Sequence, residues 1–298
     1  MKQCNIIYNP NSGRGTFKSE IQRVTSHLES LGYTWNIYPT EYPKHATKLM
    51  HDHNDADMIL VSGGDGTMNE VLQAVPGMKK IPVIAYIPRG TANDFGKTLG
   101  LSKNIQSNLN LLNMPTIKKK DIVESSFGVF NYIAAIGNYV DISYKTTKKM
   151  KKIWGFLAYI FFGIKAFFTA PMIQATIETP EGTIQGRYSL ILIVNSESVG
   201  GFTILKDAKL DDQLLEIVVL PYVPLLNNVY FAFVFLFKSL KLPGIKRFKT
   251  SQVKVTTDHN RPWSLDGEVA QSGTFEAIIY PTQVPFVIDP KKASLFNE

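Results

Sequence analysis

The sequence predicts an α/β N-terminal domain built on a parallel sheet, followed by a C-terminal domain that is a mostly antiparallel β-sandwich. Three observations carry this. Up to about residue 120, short apolar runs alternate with helical patterns, as a parallel sheet covered on both faces requires. After Lys118-Lys119-Lys120 the texture changes to short β-rich runs separated by turns containing Gly, Pro or Asp. A chain of 298 residues is also near the limit of one hydrophobic core. The expected division is 1–121 and 122–298, with the C-terminal tail able to return to the first domain.

The elements follow in order. Cys4–Tyr8 is strand-like. Phe17, Ile21, Val24, Leu28 and Leu31 repeat on one face of a helix, and Gly32 sits where a C-terminal cap belongs. Trp35–Tyr38 reads as the second strand, His45–His53 as a short helix and Met58–Val61 as the third strand. A helix after Thr67 and a strand at Val83–Ile87 complete the alternation. The later strands are expected at Phe127–Ala135, Ile173–Glu178, Tyr188–Val194, Leu214–Leu220, Gln252–Thr257 and Thr274–Tyr280. In parallel sheets ligands sit beyond the carboxyl ends of the strands. Three glycine-containing loops, Asn9–Gly15, Gly63–Gly66 and Pro88–Gly96, fall there and should converge.

Composition narrows the function classes. Hydrophobic content of 44% and charged content of 19% describe an ordinary globular protein. The single cysteine, Cys4, excludes an internal disulfide and fits a reducing cytosol. Met1-Lys2-Gln3 leads directly into a strand, so no secretory leader is expected. The net charge of +7 is clumped. Lys145, Lys148, Lys149, Lys151 and Lys152 border the apolar run Ile153–Ala170, and Lys241, Lys246, Arg247 and Lys249 follow Leu225–Leu240. Basic clusters beside aromatic runs fit an anionic membrane surface better than a nucleic-acid groove. A buried helix with a solvated basic end gives the same pattern. Both runs fall short of the ~20 residues a membrane span needs.

The stretch Gly63-Gly64-Asp65-Gly66-Thr67-Met68-Asn69-Glu70 says most about chemistry. Strand, glycine turn and helix start aim backbone N–H groups at one point with the helix dipole behind them. A carboxylate among phosphates repels them unless a divalent cation intervenes, so Asp65 implies Mg²⁺ as well as polyphosphate. Asn9-Pro10-Asn11-Ser12-Gly13-Arg14-Gly15 can cradle phosphate, although Asn-Pro and Ser-Gly are ordinary turn dipeptides. In the third loop Thr91 can hydrogen-bond a phosphate, and Asp94 can cap a helix or hold a Mg²⁺ water. Lys209-Leu210-Asp211-Asp212-Gln213-Leu214 suits a hard cation or a plain turn. Asp266-Gly267 is a hairpin signal, and Glu268 beyond it is a candidate general base.

Other chemistries lack their motifs. His51 and His53 lie about 200° apart on a helix, which disfavours joint metal ligation. The chain has no Gly-x-Ser-x-Gly elbow and no Walker pattern, which argues against an acyl hydrolase and a P-loop enzyme.

Taken in order, these motifs resemble the bacterial diacylglycerol kinase and related lipid kinase family, which shares its catalytic domain with sphingosine and ceramide kinases. The residues that carry the likeness are Ile6-Ile7-Tyr8-Asn9-Pro10-Asn11-Ser12-Gly13, Gly63–Glu70, Gly90-Thr91-Ala92-Asn93-Asp94-Phe95 and Asp266-Gly267-Glu268. The resemblance implies an NAD kinase- and diacylglycerol kinase-like fold and an ATP-dependent kinase acting on a lipid hydroxyl. ATP would be surrounded by Asn9, Pro10, Asn11, Ser12, Gly13, Thr40, Gly63, Gly64, Asp65, Gly66, Thr67, Met68, Asn69 and Thr91. Asp65, Asp94 and Asp121 would organise catalytic Mg²⁺ and water, and Glu268 would be the base. A structural Mg²⁺ would be held by Asp212 with backbone oxygens of Lys209 and Leu214. The family usually has Asp-Asp-Gly there, whereas this chain has Asp211-Asp212-Gln213, which would strain a turn that needs glycine dihedrals.

The implied partners are ATP and a membrane lipid such as diacylglycerol, with peripheral contact to an anionic membrane and no nucleic acid. The implied location is cytoplasmic, at the inner face of the membrane. Exposed strand edges in the second domain would permit homodimer pairing. An NAD kinase and a non-catalytic lipid-binding regulator on the same fold are the alternatives.

Overall fold

The first half of the chain alternates strand and helix: β1 (Lys2–Tyr8), α1 (Phe17–Ser30), β2 (Tyr33–Pro39), α2 (His45–Asp52), β3 (Met58–Gly63), α3 (Asp65–Leu72) and β4 (Val83–Pro88). Helices α4 (Asp94–Thr98) and α5 (Ile105–Leu111) and strand β5 (Thr116–Lys120) follow. The computed structural model describes residues 2–13, 17–137, 172–199, 202, 203, 205, 208–224, 243–258 and 260–297. Arg14, Gly15, His259, Lys241, the basic cluster from Lys145 to Lys152 and the apolar runs Ile153–Ala170 and Leu225–Leu240 lie outside the described residues. No helix among the described residues is long and apolar enough to cross a membrane.

The remaining strands are β6 (Val123–Ser125), β7 (Gly128–Phe130), β8 (Ile133–Gly137), β9 (Ile173–Thr179), β10 (Gly182–Val194), β11 (Ser198–Val199), β12 (Phe202–Thr203) and β13 (Leu215–Pro221). They continue through β14 (Lys246–Thr250), β15 (Gln252–Thr257), β16 (Pro262–Leu265), β17 (Glu268–Ser272), β18 (Phe275–Ile279) and β19 (Val284–Ile288).

The first sheet has the order β2-β1-β3-β4-β19-β5. Strands β1 to β4 pair in parallel, and β19 joins parallel to β4 and antiparallel to β5. The C-terminal tail thus returns to the first sheet. One face packs α2, α3 and α4 over Ile59, Val61 and Phe286, and the other packs α1 and α5 over Ile6, Leu60 and Val287. The strand order reverses at β1, between β2 and β3. That crevice is where such sheets bind ligands.

The second sheet is antiparallel throughout, in the order β17-β16-β8-β10-β9-β15-β18-β6-β7, with β13 and β14 branching from β10. Its strands form one continuous, curled sheet around Trp263, Phe275, Phe130 and Ile191. Trp263 stacks on Phe275 at 4.2 Å. The run expected as one strand at Phe127–Ala135 is two, β7 and β8, interrupted at Asn131-Tyr132 because those amides bond outside the ladder. In the second basic cluster, Arg247 binds Glu216 at 2.9 and 3.1 Å, and Lys249 lies opposite Glu216 in the β13–β14 register. These two cations hold acids of their own sheet.

Candidate active site

Strands β1, β3 and β4 end level with one another, with Tyr8 beside Ser62 and Gly63 beside Pro88. Their loops are then tied together. Asn9 N donates to Ser62 O at 2.9 Å, Asn9 Nδ2 to Thr67 Oγ1 at 3.3 Å, and Arg89 N to Gly63 O at 2.6 Å. The second and third loops meet backbone to backbone: a Cβ on Gly90 would lie 2.8 Å from Gly64 Cα. Any side chain there would separate them.

Helix α3 begins inside this convergence, with Gly64 at its N-cap and no side-chain cap. Its first backbone turn closes with Met68 N donating to Gly64 O at 3.1 Å. The amides of Asp65, Gly66 and Thr67 precede that bond and are left without intrahelical acceptors. Their dipole-backed N–H groups make an anion cradle.

Asp65 supplies the acid. Its carboxylate accepts from Asp94 N at 3.1 Å and Phe95 N at 3.2 Å, capping α4 from a neighbouring loop. Asp94 is therefore the first residue of α4 rather than its cap, and its carboxylate accepts from Lys97 Nζ at 3.4 Å. Burial lifts the Asp65 carboxyl above the ordinary aspartate range, the amides of Phe95, Asp94 and Asn93 oppose the lift, and the Asp94 charge adds to it. Two neighbouring carboxylates, one of them lifted by burial, form a donor pair that a hard cation would stabilise. Among the described residues no three acidic, His or Cys groups converge. Mg²⁺ bound together with phosphates needs only one or two carboxylates.

The opposing wall comes from the second sheet. Asp266 (φ 49°) and Gly267 (φ 84°) form the two-residue turn between β16 and β17, the left-handed pair that Asp-Gly favours. Beyond the turn, Glu268 is exposed, and its Oε1 comes to 3.0 Å from where a Cβ on Gly66 would stand. The turn is fixed by Asp266. Its carboxylate accepts from Asn131 N (2.8 Å), Tyr132 N (2.9 Å), Ile133 N (3.1 Å) and Asn69 Nδ2 (2.9 Å). Burial still raises the Asp266 carboxyl against these four donors. Asn69 of α3 and Gln73, the C-cap of that helix, also donate to Val129 O, at 3.2 and 2.5 Å. Helix α3 is thereby bolted to the second sheet.

The structure brings Asn9, Gly63, Gly64, Asp65, Gly66, Thr67, Asn69, Asp94 and Glu268 to this seam. Other expected residues spend some of their polar groups on internal bonds. Met68 is buried in the core and its N–H is used in the helix, so it offers a ligand neither side chain nor amide. Asn69 contributes as a tie to Asp266. Asn11 and Ser12 donate their amides back to Asn9, beside Pro10 and Gly13 in the turn. Thr40 is buried and donates its N–H to Tyr8 O at 2.8 Å, and exposed Thr91 accepts from Lys103 Nζ through its carbonyl.

Asp121 joins a second group of acids. Its buried carboxylate accepts from Gln213 N at 2.7 Å and Gln283 Nε2 at 2.8 Å, and its acidic neighbour is Asp212. Between the groups lies Lys120, wholly buried, donating to the carbonyls of Asp121, Asn131 and Asn195 at 2.9, 2.9 and 3.1 Å. Burial pushes its ammonium down to about 8, against the pull of Asp121 and Asp266.

The expected structural cation site does not fit a metal as it stands. Asp212 Oδ2 accepts from Lys249 Nζ at 2.8 Å, and Oδ1 accepts from Leu214 N at 3.2 Å. The Lys209 side chain points to the C-terminal carbonyls of Ser294 and Phe296. Gln213 adopts φ 58°, the left-handed conformation that glycine takes without cost. A divalent ion on Asp212 would meet an ammonium already there.

In the sequence Asp266 reads as a turn residue and Lys249 as part of a basic cluster, and neither Lys120 nor Gln73 stands out. The one readable signal was Asn131-Tyr132 breaking an apolar strand run. Lys120 ends the lysine run at the change of texture, where nothing local marks it for burial, and Lys249 reaches Asp212 across 37 residues.

A family model described as the diacylglycerol kinase catalytic domain matches residues 3–125. A diacylglycerol kinase of Staphylococcus carnosus (strain TM300) is 30% identical over 274 residues, which is 90% of this chain and 89% of that protein. A diacylglycerol kinase of Staphylococcus aureus (strain JH9) is 34% identical over 226 residues, 73% of this chain and 70% of that one. The crystal structure of a diacylglycerol kinase from Bacillus anthracis str. Sterne superimposes with a TM-score of 0.80 at 22% identity, over 97% of this chain and 98% of that one.

Proposed function

The chain belongs to the diacylglycerol kinase family, and we propose that it transfers the γ-phosphoryl group of ATP to the hydroxyl of diacylglycerol, giving phosphatidic acid. The observation that carries this reading is Glu268 Oε1 beside Gly66, at the start of the uncapped helix α3. A base and a phosphate cradle from different sheets face each other there.

The acceptor hydroxyl gives its proton to Glu268 as its oxygen bonds to the γ-phosphorus and the bond to the ADP oxygen breaks. The amides of Asp65, Gly66 and Thr67 hold the charge on the transferring group in place. Asn9 and the turn to Gly13, with Thr40 and Thr91, border the nucleotide. Asp65 and Asp94 are the residues that would hold Mg²⁺, which when bound supplies positive charge at the phosphates. Because the Asp65 carboxyl is raised, its affinity for a cation falls as pH drops through a range above that of ordinary aspartates. Asp121 acts at one remove, through Lys120 and the Asp212 turn.

This reading places the protein in the cytoplasm at the inner face of the membrane, touching anionic lipid through its basic-apolar segments. The 1–121 and 122–298 division is retained, with β19 returned to the first sheet. Copies could pair through strand edges of the second.

Asp65→Asn, which keeps one oxygen for the α4 amides, should lower turnover with dispersed diacylglycerol by ~10²-fold or more. Glu268→Gln should lower turnover while leaving ATP affinity nearly unchanged. Wild-type turnover in the first variant, or lost ATP binding in the second, contradicts the assigned roles.

A further inference from the structure

We propose that Arg89 is a positioning residue for the nucleotide: its ion pair with Glu20 of α1 holds the Asn9–Gly13 turn against the other two loops of the phosphate cradle. This rests on the reading that ATP lies at those loops.

Arg89 reaches all three loops from its place in the third. Its N–H donates to Gly63 O at 2.6 Å, at the head of the second loop. Its carbonyl faces the first loop, where a Cβ on Gly13 would stand 2.8 Å from the oxygen. Gly13 also has φ 64°, so both the space and the backbone there call for glycine. The side chain leaves the cradle for α1, the helix into which the first loop leads. Its guanidinium pairs with Glu20, in the first turn, and lies 5.9 Å from the centre of the Phe17 ring. Phe17 opens that helix, and its ring lies 5.3 Å from that of Tyr8, the last residue of β1. The two flanks of the first loop thus meet each other, and Arg89 bears on the second of them.

The first loop needs such a tie. Asn9 is bonded to Ser62 and Thr67, but beyond it the amides of Asn11 and Ser12 turn back on Asn9. Those bonds close the turn on itself rather than on its neighbours. The Arg89 and Glu20 side chains are 13% and 28% exposed, so the pair is largely out of water. Removing one member leaves a poorly solvated charge, which the surrounding chain must shift to hydrate. The chain beside it is the start of α1, and the turn from Asn9 to Gly13 leads into it. A guanidinium held by a carboxylate acts on the triphosphate through the loop, not as its ligand.

The test is equilibrium titration of ATP into wild type, Glu20→Gln, Arg89→Met, Arg89→Lys and the double variant of the first two. Melting temperatures without nucleotide, and KM for ATP and kcat with dispersed diacylglycerol, accompany it. Glu20→Gln and Arg89→Met should each weaken ATP binding about tenfold, the double variant should bind no more weakly than either, and Arg89→Lys should keep most of the affinity. The loss should appear in KM for ATP more than in kcat. Glu20→Gln separates a tie from a phosphate ligand, because it releases the guanidinium from its carboxylate. Unchanged or tighter ATP binding in that variant overturns the proposal. So does a lowered melting temperature with unchanged affinity, which would give the pair a role in stability alone. ATP binding that Glu20→Gln weakens, in a protein that transfers no phosphate, keeps the tie and rejects the kinase reading. Transfer to diacylglycerol with wild-type ATP affinity in both single variants rejects the tie alone, and a wild type that binds no ATP overturns both.

Discussion

Asp212 shows how one side chain can change what a site needs. Its carboxylate was expected to hold a cation, and it does, but the cation is the Lys249 ammonium at 2.8 Å, which also lies 3.4 Å from Glu216. The β13–β14 register sets Lys249 opposite Glu216, so strand pairing delivers the charge. The departure at Gln213 was legible as a residue out of pattern, and its φ of 58° is the strain it announced. The lysine was not legible, because nothing local marks one strand lysine as an internal counter-ion. EDTA should leave the wild-type melting temperature unchanged in the absence of nucleotide. Lys249→Met should lose roughly 1 kcal/mol of stability, discounted for partial exposure, and should regain it with millimolar Mg²⁺. A wild-type melting temperature that falls with EDTA would show that a metal still sits on this turn.

At the scale of elements, function follows from the order β2-β1-β3-β4, which brings three loops to one edge. That convergence was readable because alternating strand and helix admit few topologies. The contact between Gly64 and Gly90 depends on both lacking a Cβ. Gly90→Ala should part the second and third loops, leave the far-ultraviolet spectrum intact and weaken ATP binding about tenfold or more. Unchanged affinity in a nucleotide titration would mean that the loops do not act together. Strands β5 and β19 escaped the sequence reading. One is a lysine-rich run, the other carries Pro285 as its second residue, and their partnership spans more than half the chain. Their pairing is decided by tertiary packing around Phe286 rather than by local pattern.

Across the whole molecule, the proposed active site is a seam between two sheets that reach it by different routes. The first sheet brings amides and Asp65; the second brings Glu268 on a turn locked by Asp266 to Asn69, Asn131, Tyr132 and Ile133. Lys120, bonded to three carbonyls, joins this seam to the Asp121–Asp212 group. The two fold textures and most loop residues were visible in the sequence. The seam was not, because ties such as Asn69 to Asp266 span 197 residues and leave no periodic trace. The central claim is that one triphosphate lies between the α3 N-terminus and Glu268. The most direct measurement is a crystal structure with a non-hydrolysable ATP analogue and Mg²⁺. The account predicts the γ-phosphate on the amides of Asp65 to Thr67, with Glu268 facing it across the seam. A nucleotide bound elsewhere, or a γ-phosphate turned away from Glu268, would contradict it.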